Sequence, residues 1–145
     1  MRGITPGVGV AILMATTLSA VPAEASDGRC GSRNGGNRVE IVGLTDDQRL
    51  ICFAENNPSQ AEGIGDVRGL TGDTSLVGID FRPASGELYG LGNDGGVYTL
   101  DLRNGTATFK SKLSVALSGN SFDIDFNPTV DRLRIVSDTG QNLRA

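Results

Sequence analysis

A short pattern that occurs twice limits what this chain can fold into. Gly78-Ile79-Asp80-Phe81-Arg82-Pro83 returns 45 residues later as Asp123-Ile124-Asp125-Phe126-Asn127-Pro128. The match continues, because Gly92-Asn93-Asp94-Gly95 aligns with Ser137-Asp138-Thr139-Gly140. A period of about 40 to 50 residues with several short strands in each copy is typical of a β-propeller blade. The repeat therefore predicts an all-β fold made of antiparallel meander units.

The better preserved copy alternates apolar runs with turn residues. The pattern predicts strands at residues 76–81, 87–92, 97–102 and 106–113. Pro-Ala-Ser-Gly, Asn-Asp-Gly-Gly and Arg-Asn-Gly separate them, and such turns use proline or residues that tolerate a left-handed backbone. The chain has 21 glycines in 145 residues, about twice the usual share of about 7%. Four strands in one meander are expected here.

A more divergent copy precedes this unit, and a partial copy follows it. Aligning Leu44 with Leu91 places Leu50 opposite Val97, which predicts units at about 39–75, 76–120 and 121–145 within one domain, 39–145. Residues 55–65 lack alternation and are predicted to be a loop. A closed propeller needs about four to eight blades, and about two and a half are expected here. We therefore expect an incomplete sheet edge, either in a fragment or in a chain that self-associates through that open edge.

The first 25 residues have the pattern of a secretory signal peptide. Arg2 precedes an apolar run, and Ala23-Glu24-Ala25 matches a cleavage site, which predicts cleavage after Ala25. The alternative is a retained membrane anchor, but an apolar run of about a dozen residues is shorter than the roughly 20 needed to span a bilayer. The sequence predicts a secreted or periplasmic protein with no membrane span after signal removal, and a flexible lead-in over residues 26–38.

Two cysteines, Cys30 and Cys52, remain in the mature chain. An exported protein meets an oxidising compartment, which favours a disulfide between them. Two unpaired thiols are the alternative. Without histidine the pair cannot complete a tetrahedral zinc site unless carboxylates join it.

Composition excludes several functional classes. The net charge is −4 and the aromatic content is 5%, so neither a basic face nor many stacking platforms favour nucleic acid as a partner. The chain contains no histidine, which excludes a Ser-His-Asp triad and a Cys-His pair.

The recurring acids Asp80 and Asp125 are the candidate ligand residues. They occupy equivalent positions on the first strand of their units, which in propellers lines the central channel, and converging carboxylates there can hold Ca²⁺ and polarise an ester or lactone. The alternative is that each carboxylate accepts hydrogen bonds from the turn that follows it. The turn acids Asp94 and Asp138 are interpreted in the same way, as caps of their own turns.

Two tyrosines and two arginines also stand out. Tyr89 and Tyr98 lie on adjacent predicted strands and are expected to be neighbours that pack between units. Arg132 and Arg134 share one strand face opposite Glu87 and Tyr89 of the preceding unit, which favours a cross-strand ion pair over a site for an acidic ligand.

The chain also resembles a known family. The resemblance spans about residues 42–144 and rests above all on Ser121-Phe122-Asp123-Ile124-Asp125-Phe126-Asn127-Pro128 and Asp138-Thr139-Gly140-Gln141-Asn142-Leu143-Arg144. These residues resemble the bacterial secreted family filed as domain of unknown function 4394. The resemblance implies a repeat fold that continues with further similar units and an exported location, and it assigns no catalytic, metal or cofactor residue.

The sequence thus favours one function and leaves another open. The favoured hypothesis is an exported, non-enzymatic binding or scaffold module with an extracellular or periplasmic ligand, since repeat and turn requirements account for nearly every conspicuous residue. The alternative is a Ca²⁺-dependent propeller hydrolase acting on an ester or lactone through Asp80 and Asp125.

Overall fold

The computed structural model describes residues 40–145, and within them the fold is all-β. The described range contains ten strands: β1 (Glu40–Leu44), β2 (Arg49–Ala54), β3 (Asn57–Asp66), β4 (Leu76–Phe81), β5 (Leu88–Gly92), β6 (Gly96–Leu100), β7 (Ala107–Lys112), β8 (Phe122–Asn127), β9 (Arg132–Ser137) and β10 (Asn142–Arg144). They form three antiparallel sheets in the orders β1-β2-β3, β4-β5-β6-β7 and β8-β9-β10. The predicted all-β meander is confirmed.

The pairing registers repeat from sheet to sheet. Leu44 pairs with Leu50 and Leu91 pairs with Val97, and Val136 pairs with Asn142 at the equivalent place in the third sheet. The turns that join β1 to β2, β5 to β6 and β9 to β10 each contain a residue with a left-handed backbone. The φ angle is 62° at Gln48, 86° at Gly95 and 84° at Gly140. Because register and turn agree, β1, β5 and β9 are equivalent strands.

The predicted loop at residues 55–65 is wrong, because most of it belongs to the ten-residue strand β3. Residues 57–63 are exposed, so the strand has no buried face to impose alternation on the sequence. Its pairing with β2 depends on backbone hydrogen bonds and is broken by register shifts beside Leu50 and Cys52. Irregular edge strands of this kind carry little periodic signal.

Two apolar clusters lie between the three sheets. The first joins Val42, Leu44 and Leu50 of the first sheet to Leu88, Tyr98 and Leu100 of the second. The second joins Tyr89, Leu91 and Val97 of the second sheet to Ile124, Phe126, Leu133 and Ile135 of the third. Each sheet therefore buries apolar residues mainly against its neighbours.

The two tyrosines belong to different clusters. Tyr89 pairs with Thr99, whereas Tyr98 pairs with Gly90, so the tyrosines lie on opposite faces of the second sheet. Tyr89 meets Phe126 edge-on at a centroid distance of 5.1 Å, and Tyr98 meets Phe109 at 5.6 Å. Both rings pack against another aromatic ring, but the prediction that the two tyrosines are neighbours is wrong. Tyr98 pairs with Gly90, the residue after Tyr89, and successive residues of a strand point to opposite faces of the sheet.

Candidate functional site

Asp80 bridges the second and third sheets. It lies half-buried on β4, and its Oδ2 accepts a hydrogen bond from the backbone N–H of Phe126 on β8 at 2.7 Å. β8 is an edge strand, so this N–H points away from its own sheet and needs a partner from elsewhere. The bond to the following turn that the sequence suggested is not formed, because that turn closes through backbone bonds to Arg82. Asp80 is a latch between sheets.

Gly78 lets β4 and β8 approach closely enough for the hydrogen bond between Asp80 and Phe126. A Cβ at Gly78 would lie 3.3 Å from Ile124 Cγ1. That distance is tighter than an ordinary van der Waals contact, so a larger residue would push β4 and β8 apart.

Asp125 is in a different environment from Asp80. It is exposed on β8 and pairs across the strands with Arg134. Within residues 40–145 its side chain makes no hydrogen bond or ion pair. No group of three or more His, Cys, Asp or Glu that could hold a metal occurs among the described residues. The Ca²⁺ site at Asp80 and Asp125 stays a prediction.

Two turn residues hold the start of the first strand of their own sheet. Asn93 Oδ1 accepts the backbone N–H groups of Thr74 and Ser75, at 2.9 and 3.1 Å. The equivalent Asp138 Oδ1 accepts the N–H of Asn120 at 3.0 Å. Asp138 thus holds the segment leading into β8, and the interpretation that it caps its own turn is wrong. Sequence spacing could not reveal a partner that lies 18 residues away.

Asp94 forms a different contact from the one expected. Its carboxylate forms an ion pair with Lys112, which raises the pKa of that lysine through the hydrogen bond. The pair joins the β5–β6 turn to the end of β7, on the exposed surface.

Gln48 links the first and second sheets through two side-chain hydrogen bonds. Its amide accepts from the N–H of Leu76 at 2.6 Å and donates to the C=O of Leu76 at 3.1 Å. The side chain thus completes both hydrogen bonds of one residue of β4, much as a neighbouring strand would.

A buried tyrosine and an aspartate form a cluster that the sequence did not reveal. The Tyr98 hydroxyl donates to Asp73 Oδ2 at 2.6 Å and lies 2.8 Å from the C=O of Thr71. Burial raises the pKa of Tyr98, and the hydrogen bond to Asp73 adds to the shift. Asp73 reaches this position between two glycines: a Cβ at Gly92 or Gly96 would lie 2.2 Å from the carboxylate. In the sequence, only the glycines Gly92 and Gly96 on either side of Asn-Asp-Gly pointed to this cluster, and glycines there are equally expected in a β-hairpin turn.

An ion pair also joins the second and third sheets. Arg82 donates through Nε and Nη2 to both carboxylate oxygens of Asp131, the first at 2.8 Å, and its Nη1 lies 3.4 Å from the Tyr89 hydroxyl. The hydrogen bonds raise the pKa of Arg82 and hold that of Asp131 below its usual range. The expected ion pair between Glu87 and the β9 arginines is absent from the described residues, and Arg82–Asp131 is the pair that crosses between these sheets.

Of the two cysteines predicted to form a disulfide, only Cys52 lies within the described residues. Cys52 is buried on β2 and is not a free thiol. Cys30 and the predicted cleavage site after Ala25 lie outside the described residues, so the Cys30–Cys52 pairing and the signal peptide stay predictions. No helix within residues 40–145 is long and apolar enough to cross a membrane.

Two grooves lie on the surface formed by residues 40–145. A groove of about 480 Å³ runs along the first sheet beside Phe53, Ala54 and Asn57, and a smaller one of about 330 Å³ lies between Glu87 and Thr108. Neither is lined by Asp80 or Asp125.

The search of curated proteins found no match. The family model described as Domain of unknown function (DUF4394) matches residues 49–145. The match covers the second and third strands of the first sheet, all of the second and third sheets, and both copies of the repeated Asp-Phe motif. It spans well over half of the chain, and the chain therefore belongs to the DUF4394 family.

Proposed function

We propose that this chain is an exported, non-enzymatic β-repeat module that acts through its surfaces as a binding or scaffold protein. The observation that carries the proposal is the use of Asp80. Its carboxylate accepts the Phe126 N–H and so satisfies an edge strand of the next sheet. Because this carboxylate already joins two sheets, its role is structural.

Other conspicuous polar residues support the same proposal. Gln48, Asn93, Asp138 and the Arg82–Asp131 pair each join a turn or strand to a segment distant in the sequence. Buried polar networks that are fully satisfied rigidify a fold, and no buried side-chain N or O within the described residues lacks a partner. Rigid sheets with exposed polar faces suit a role in presenting a surface.

A partial propeller-like arrangement is part of the proposal. Its support is the repeated meander and the approach of β4 to β8, since first strands of neighbouring propeller blades converge near the axis. In this arrangement Asp80 lies at the interface between two blades, formed by the second and third sheets.

Calorimetric titration with Ca²⁺ and an assay against ester and lactone substrates test the non-enzymatic role. We expect no heat of binding, no shift of the unfolding midpoint at millimolar ion, and no turnover. A Ca²⁺-dependent rise in the midpoint that both Asp80→Asn and Asp125→Asn abolish, together with hydrolysis, would replace this proposal by the propeller hydrolase.

The exported location has its own test. Fractionation of cells producing the full chain, followed by N-terminal sequencing, should find the protein outside the cytoplasm with Ser26 as its first residue. An intact N-terminus in the cytoplasmic fraction would contradict export without affecting the non-enzymatic role.

A further inference from the structure

Cys52 lines the groove of about 480 Å³ on the first sheet. It lies directly opposite Val42 on β1 and Glu62 on β3, so the three side chains share one face of the sheet. Val42 packs against the second sheet on that face. The groove therefore continues the inner face of the first sheet beyond its contact with the second sheet.

The lining of this groove is polar and acidic. Glu40 and Glu62 are the charged residues that line it, and the other polar side chains along it are mainly amides. Arg49 of β2 does not line the groove and forms an ion pair with Asp66 at 3.2 Å. Each of the two glutamates has an interaction partner, and no ion pair within residues 40–145 accounts for it. A basic and polar occupant matches this lining.

The segment that precedes β1 has the matching chemistry. Apart from its charged residues and Cys30, residues 26–38 consist of glycine, serine and asparagine. The charged residues are three arginines and one aspartate: Arg29, Arg33, Arg38 and Asp27. Three positive charges and one negative charge give the segment a net charge of +2, opposite in sign to the two glutamates of the groove.

Disulfide geometry limits where a segment bonded to Cys52 can lie. Cys52 is disulfide-bonded, and Cys30 is the only other cysteine of the chain. A disulfide joins residues whose Cα atoms are about 4.4 to 6.8 Å apart. A strand added at either edge of the sheet, beside β1 or β3, would be two strands from Cys52, which is about 9 to 10 Å. A bonded segment therefore crosses the face of the sheet at Cys52, where the groove lies, and does not extend the sheet as a fourth strand there.

We propose that residues 26–38 occupy the groove on the first sheet, with Cys30 bonded to Cys52 and Arg33 paired with Glu62. Asn34-Gly35-Gly36 follows these two anchors and consists of residues that favour a turn, so the chain can reverse its direction before β1 begins. The groove is then filled by a segment of the same chain, and it takes no small-molecule ligand while the disulfide is intact.

The bond between Cys30 and Cys52 requires an oxidant. It forms by thiol–disulfide exchange: the two thiols lose two protons and two electrons, and a disulfide-bonded oxidant is reduced to its thiols. An exporting compartment supplies such an oxidant, and glutathione disulfide supplies it to the purified chain. With glutathione disulfide as the oxidant, this inference can fail separately from the exported location and from the non-enzymatic role proposed above.

Peptide mapping and zero-length cross-linking of the mature chain, oxidised with glutathione disulfide, test the proposal. Digestion without reductant should yield a pair of peptides from one chain joined through Cys30 and Cys52. For the ion pair, Arg33→Lys keeps the charge and supplies an amine, which a carbodiimide condenses with a contacting carboxylate as water is lost. We expect an amide link from position 33 to Glu62. The ion pair between Lys112 and Asp94 on the second sheet is the internal positive control.

Two matched variants show whether the link depends on the groove. Adding Glu62→Gln to Arg33→Lys should abolish the link from position 33. Adding Cys30→Ser instead should reduce its yield several-fold, because the segment then loses the anchor that keeps it near the groove. An unchanged link between Lys112 and Asp94 will show that both variants fold. Two free thiols, a disulfide between two chains, or links from position 33 that avoid Glu62 and fall on the turn acids of the first sheet would overturn the proposal: Asp46, Asp47 and Glu55.

Discussion

Replacing Asp80 by alanine tests the latch between the second and third sheets. The substitution leaves the Phe126 N–H without its acceptor at 2.7 Å. A hydrogen bond to a charged group contributes about 1.5 to 3 kcal/mol. With a loss of about 2 kcal/mol, the unfolding midpoint of a domain of about 100 residues should fall by about 8 to 16 °C. Asp80→Asn keeps an acceptor but not the charge, and should lose about half as much.

The repeat supplies a matched control for this substitution. Asp125 holds the equivalent position but has no side-chain partner among the described residues, so Asp125→Ala should leave the free energy of unfolding within about 0.5 kcal/mol of the wild-type value. Both variants should be followed by circular dichroism during heating, in buffer free of divalent ions. Equal effects at the two positions, or no effect at Asp80, would refute the latch.

Three further changes test other contacts. Tyr98→Phe removes the hydroxyl between Asp73 and Thr71 and should cost about 1 to 3 kcal/mol in urea unfolding; an unchanged midpoint would exclude the cluster as a stabilising contact. Gly96→Ala places a Cβ 2.2 Å from the Asp73 carboxylate and should destabilise more than Gly63→Ala, whose Cβ meets only the end of the flexible Arg49 side chain, at 3.3 Å. The reverse order would contradict the close approach. The pKa of Asp101 is lowered to about 2 by its hydrogen bonds to Arg103, so its stabilisation is present above about pH 4 and is lost as pH falls to about 2. Asp101→Asn should flatten acid unfolding in that window, and an identical pH profile would argue against the pair.

The repeat and the turn residues made the central part of the fold predictable. Leu44, Leu91 and Val136 occupy equivalent pairs because each precedes a turn that needs a left-handed residue, and glycine supplies it in two of the three. Strand β3 could not be predicted, since it is held by backbone bonds and exposes most of its side chains. Backbone pairing leaves little trace in residue type.

The candidate site was only partly predictable, for a related reason. Spacing identified Asp80 and Asp125 as equivalent, but equivalent positions in a repeat need not have equivalent neighbours in the fold. Asp80 faces another sheet and Asp125 does not within the described residues. Asp73 was missed because it lies in the connection between sheets, outside the repeated motif, and its partner Tyr98 is 25 residues away.

Amide hydrogen exchange at Phe126 tests most directly whether the repeated acid joins neighbouring sheets. Exchange of this single amide, followed by NMR in the wild type and in Asp80→Ala, isolates one bond on an otherwise open strand edge. We predict slow exchange in the wild type and fast exchange in the variant, with the amides between β5 and β6 still protected. A Phe126 amide that exchanges rapidly in the wild type, or stays protected without the Asp80 carboxylate, would contradict the account.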